Sequence, residues 1–145
     1  MKRPLIAAAL TLSVAIIAAF AAPSGQTPRR ATLNPAALDR ARKLIAEGHV
    51  VKDKHGDWAA DKLLVDDENK FIQQHGTEEY GRWHLGIDES HRSISKARYK
   101  FPFGDFKNVH RCALIAVQNR ARQYGYKDIE VAATELLTLI HAQSN

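Results

Sequence analysis

The stretch GDFKNVHRCALIAVQNRARQYGYKDIEVAATELLTLIHA, residues 104–142, decides the fold class. Asp105 carries an N-capping side chain, and Gly125 suits the left-handed position that ends a helix, so the pattern predicts one long helix from Phe106 to Tyr124. At about 100° per residue, Phe106, Val109, Ala113, Ala116, Val117, Ala121 and Tyr124 share an apolar face, while Lys107, Arg111, Gln118 and Arg122 share the opposite one. His110 and Arg120 fall on the apolar side as candidate buried polar groups, and Arg120 is expected either to meet a carboxylate, such as Glu130, Glu135 or one of the acidic-half residues, or to lie at the edge of the stripe with its stem over apolar neighbours. A second helix is expected from Asp128 to His141, with Ile129, Ala132, Ala133, Leu136, Leu139 and Ile140 inward and Glu130, Thr134, Thr138 and His141 outward. The tight link at Gly125-Tyr126 makes the two a helical hairpin.

Upstream, the helix signals are local and repeated. Asn34-Pro35 reads as a cap followed by a first-turn proline, Leu38, Ala41, Leu44 and Ile45 form a buried stripe, and Gly48 closes the helix. Val50 and Val51 suggest a short extended piece, residues 54–57 a turn, and Trp58 an anchor into the core. Asp66 is placed to cap a helix carrying Phe71 and Ile72 that ends at Gly76, and Thr77 to cap another running to Trp83. These readings give a mainly α, small helical domain over residues 35–145, with a C-terminal helical hairpin and one or two short strands.

Residues 92–103 break the helical period. Arg92, Lys96, Arg98 and Lys100 occupy even positions, while Tyr99, Phe101 and Phe103 occupy odd ones, so an extended chain would carry a cationic face and an aromatic face. Such interleaving describes a platform for single-stranded nucleic acid, and equally an edge strand with rings inward and charges in water. Arg92, Lys96, Arg98 and Lys100, joined by Lys107, Arg111 and Arg122 on the long helix, are the candidate anion- or partner-binding residues, and Tyr99, Phe101 and Phe103 the candidate aromatic face.

Charge is laid out unevenly. Of the 145 residues, 21 are Lys or Arg and 16 Asp or Glu, a net charge of +5 that does not by itself demand a nucleic-acid partner. Residues 53–89 hold ten acidic and four basic side chains, whereas residues 91–127 hold nine basic ones and a single acid, Asp105. The two halves are expected to neutralise each other within or between chains.

The N-terminus bears on address. Lys2 and Arg3 precede an uncharged run to Ala22, and Ala19-Phe20-Ala21 has the small-x-small pattern of a secretory cleavage site. Residues 1–21 are therefore expected to be a signal peptide, residues 22–34 a flexible linker, and the protein periplasmic or secreted. The alternatives are an uncleaved inner-membrane anchor, touching the membrane only through residues 4–22, and a translation start downstream of the apolar run.

Chemistry-bearing motifs are few. The single cysteine, Cys112, excludes an internal disulfide framework and any multi-cysteine metal site. Two apart on a helix, His110 and Cys112 would point about 200° from each other and could not form a dyad. His84, Asp88 and His91 have metal-ligand types, but Gly86 lies among them and they share no helical face, so no metal is assigned.

Residues 79–88 (EYGRWHLGID), 96–101 (KARYKF) with 104–106 (GDF) and 109–111 (VHR), and 128–130 (DIE) resemble a family of small uncharacterised bacterial proteins. The resemblance covers roughly residues 37–140 and implies no activity, cofactor or catalytic residue. The function that fits is an exported binding or assembly module with segregated acidic and basic surfaces, engaging a protein partner or a second copy of itself. The alternative is a cytoplasmic nucleic-acid-associated protein that begins beyond the apolar run. An enzyme is the less favoured class, and no catalytic residue or cofactor is assigned.

Overall fold

The computed structural model describes residues 31–54 and 56–143. The expected leader, 1–21, and linker residues 22–30 lie outside them. The helices form where caps and stripes ask for them. In α1 (Pro35–Ala46) proline holds the first position and Ala37, Leu38, Ala41 and Ile45 are buried. Gly48 then adopts φ 81°, the left-handed conformation that costs a Cβ-free residue nothing. A four-residue α2 (Trp58–Asp61) leads to α3 (Val65–Gly81), which breaks at Gly76 (φ 85°, ψ 164°), where the sequence asks for one helix to stop and the next to start. Leu64, not Asp66, is the N-cap of α3; Asp66 lies in the first turn, where its charge still favours the helix dipole.

The C-terminal hairpin is α4 (Arg111–Tyr124) and α5 (Lys127–Ala142). Gly125 at φ 75° closes α4, with the Tyr126 N–H bonded to the Ala121 carbonyl at 2.9 Å and the Gly125 N–H to that of Arg122 at 3.2 Å, a Schellman ending. Ile129, Ala132, Ala133, Leu136 and Ile140 are buried as expected, but Leu139 is exposed and Glu130 is buried, because Arg122 and Lys127 both reach its carboxylate.

Strands are more numerous than the sequence suggests. Ala31–Leu33 (β1), expected to be linker, pairs antiparallel with β3 (His84–Asp88), and β3 pairs antiparallel with β4 (Tyr99–Pro102), giving a sheet in the order β1-β3-β4. Val50–Val51 (β2) pairs in parallel with β5 (Val109–His110). Asn34, expected to cap α1 with its side chain, instead donates through its amide to the carbonyls of Gly81 and His84, tying the start of α1 to the end of α3. One hydrophobic cluster joins α1, β3, α4 and α5, with Trp83, Leu85, Phe103 and Val109 in it. Trp58 is only half-buried and lies outside that cluster.

The largest departure concerns residues 99–110. Asp105 does cap, but it caps a turn: its Oδ1 accepts the N–H groups of Lys107 and Asn108. Phe106 has φ 68°, which no helix tolerates, and the helix begins five residues later, at Arg111. Tyr99 packs against Gly81 and Phe101 against Gly86, where a Cβ would stand 2.7 Å from the ring. β4 is thus an edge strand with its rings turned inward. A 3-10 turn over Lys96–Arg98 and a positive φ at Phe101 end the strict two-face alternation on both sides. Among the described residues no helix is long and apolar enough to cross a membrane.

Candidate functional site

Because α4 starts at Arg111, His110 is extended rather than helical, and the geometry that separated it from Cys112 no longer applies. Both side chains turn to one carboxylate, Asp53, in the loop after β2. The parallel pairing of Val50–Val51 with Val109–His110 brings that loop against the start of α4. Asp53 Oδ2 lies 2.7 Å from His110 Nδ1 and 2.6 Å from Cys112 Sγ, and its Oδ1 accepts the Cys112 backbone N–H at 2.7 Å. A carboxylate from 59 residues away therefore caps α4. On the far side of the ring, His110 Nε2 lies 3.2 Å from Asp105 Oδ2, off the line of a hydrogen bond.

The cluster is buried: His110 is 6% exposed and Cys112 3%. Burial works against the charged form of Asp53, but hydrogen bonds from the Cys112 thiol and amide and from His110 outweigh it and hold the carboxyl below its usual range. Burial likewise opposes the His110 cation, and the Asp53 and Asp105 carboxylates overcome it, raising the imidazole above its ordinary value. Asp105 is lowered against its own burial by the N–H groups of Asn108 and Lys107 and by His110.

Cys112 also lies in the lining of a groove of about 610 Å³ that runs along α4 between α2 and β4. That volume lies in the range of small-molecule sites. Trp58, Phe101, Tyr124 and Tyr126 supply its aromatic surface; Lys62, Lys100 and Arg120 bring cations. Among the described side chains, Asp88 is the one carboxylate in the lining, held ionised by hydrogen bonds from the Ser90 hydroxyl and N–H. Trp58, also in the lining, sets its ring centroid 5.5 Å from that of His110.

The residues singled out by sequence do not make one surface. Arg120, a candidate buried polar group, is exposed and lines the groove. Lys96 pairs with Glu68, Arg122 with Glu130, Arg98 donates to the His91 carbonyl, and Arg111 reaches the Asp53 carbonyl. Arg92 and Lys107 are exposed, and Lys100 faces the groove. Of the aromatic face, Phe103 is wholly buried and offers no ring to a base, Tyr99 packs on Gly81, and only Phe101 reaches the groove. His84, Asp88 and His91 do not assemble. His84 is buried with Nδ1 at the Tyr80 carbonyl, and burial lowers its pKa to about 4, while His91 only approaches Asp88 at 3.7 Å.

Sequence reasoning missed the joining of Asp53, His110 and Cys112. The signal available was Asp105 itself, since its side chain can satisfy the N–H groups of a turn as readily as those of a helix. Compared with family models, curated proteins and solved structures, the chain finds no match.

Proposed function

We propose that this chain is an exported binding module whose groove holds a small amphipathic anion. The observation that carries the reading is the lining, which combines the aromatic rings of Trp58, Phe101 and Tyr126 with the cations Lys62, Lys100 and Arg120. Rings supply apolar contact area, and cations at the rim favour a carboxylate or phosphate head over a neutral or cationic one. Two contacts between the acidic and basic halves close inside the molecule, Glu68–Lys96 and Asp53–His110, and at the groove Lys62, Lys100 and Arg120 take part in no ion pair among the described residues, although the Lys100 charge is felt by Asp88.

The test is a fluorescence titration with decanoate, decanol and decyltrimethylammonium. Trp58 reports the groove, and Trp58→Phe identifies its share of the signal because Trp83 is buried in the core. Decanoate should give a saturable change and bind at least about tenfold more tightly than the cationic amphiphile, and Lys100→Gln with Arg120→Gln should remove most of that preference. Equal binding of all three, or no saturable signal, would contradict the reading.

A further inference from the structure

We infer that Asp53, His110 and Cys112 form a binding site for one zinc-type divalent cation. The inference is independent of what occupies the groove. Each of the three residues offers one donor atom, and these atoms all lie within 4.8 Å of one another; among the described residues no other such group forms. The donors are a carboxylate oxygen, an imidazole nitrogen and a sulfur, the borderline-soft set that suits zinc better than magnesium or calcium, which take oxygen alone.

Two further features point the same way. Metal-bound histidines commonly give their second ring nitrogen to a carboxylate that fixes the ring, and the Asp105 carboxylate is the nearest candidate, 3.2 Å from Nε2 though not aligned for a hydrogen bond in the metal-free cluster. Asp105 is itself fixed by the N–H groups of Lys107 and Asn108, so the outer carboxylate is already in place. Access is present as well. Cys112 lines the groove, while Asp53 and Arg111 line a second cavity of about 560 Å³ bounded by α5.

The exchange balances. In the metal-free cluster the thiol donates to Asp53 and, when the ring is protonated, His110 Nδ1–H donates to the same oxygen. A divalent cation would take the place of these two protons, binding a thiolate, a neutral imidazole and the carboxylate, and releasing both protons to solvent. The trio and its occupant are neutral overall before and after. Three protein ligands leave a fourth position for water or an incoming anion.

The experiment is titration of the full chain with Co²⁺ followed by Zn²⁺. We expect one equivalent of Co²⁺ to produce tetrahedral d–d absorption together with a thiolate-to-cobalt charge-transfer band, both removed by one equivalent of Zn²⁺. Cys112→Ser should abolish the charge-transfer band, and Asp105→Asn, which leaves all three ligands intact, should keep the band while weakening binding about 10- to 100-fold. Circular dichroism of each variant verifies the fold, and the Asp105→Asn arm remains informative if Cys112→Ser fails to fold. Absence of the charge-transfer band in the native chain, or Co²⁺ binding unchanged in Asp53→Asn, would overturn the inference.

Discussion

The C-terminal hairpin and residues 99–112 occupy neighbouring parts of the same core, yet they are specified in opposite ways. In α4 and α5 each residue's environment follows from its neighbours three and four positions away, and Gly125 supplies the turn. In residues 99–112 the conformation is set from a distance. Gly81 and Gly86 leave room for Tyr99 and Phe101, Trp83 stacks on Phe103 at 5.6 Å, and Asp53 captures His110 and Cys112. Regular structure is stabilised by many small local terms, whereas an irregular segment with positive φ at Phe101 and Phe106 persists only because its surroundings hold it.

Truncating one core side chain in each region should give the largest effects. Leu136→Ala in α5 should cost about 2–5 kcal/mol and Phe103→Ala about 3–5 kcal/mol by urea unfolding, since both are wholly buried. A loss below about 1 kcal/mol for Phe103→Ala would mean that the irregular segment is draped over the core rather than part of it. Next in size is Asp53→Asn. It takes away one of the two carboxylate charges that face the buried His110 ring, Asp105 keeping the other, while the amide oxygen can still accept the Cys112 N–H, and should cost about 1.5–3 kcal/mol by the same measurement.

A pH effect of similar origin comes from His84 in β3. Burial first, and the nearby Lys96 charge in addition, lower its folded pKa to about 4, against the hydrogen bond to Tyr80. The unfolded chain takes up that proton first, at about pH 6.5. The contribution of neutral His84 is therefore full above that pH and is lost as pH falls towards 4, amounting to roughly 3 kcal/mol. Unfolding curves at pH 7 and pH 4.5 should show the decline, and His84→Gln should flatten it. An equal slope in the variant would remove His84 from the account. The smallest effect belongs to Arg120→Ala, which should change stability by no more than about 0.5 kcal/mol because the side chain is exposed. A large loss there would restore the buried arginine that the helical pattern suggests.

What was legible in the sequence follows the same division. α1, the break at Gly76, and both hairpin helices could be read because their signals lie within a turn or two of the residues they govern. The cluster could not. Assigning Asp105 as a helix cap placed His110 on a helix, and helical geometry then set it apart from Cys112. Nothing near residue 110 names Asp53, 57 residues away, as the partner. The groove was half legible. Lys100 and Phe101 stand out in the sequence as part of an alternating stretch, but Trp58, Lys62 and Tyr126 join them only in the folded chain, where α2 and the α4–α5 turn bring them to the same groove.

Amide chemical-shift mapping with decanoate shows whether the groove along α4 is where the ligand sits, as we propose. The account predicts shifts concentrated at Lys62, Lys100, Phe101, Ala116, Arg120 and Tyr126, all in the lining, with the exposed residues of α1 unmoved. Shifts scattered over the surface, or gathered on α1 and the exposed side of α5, would contradict it.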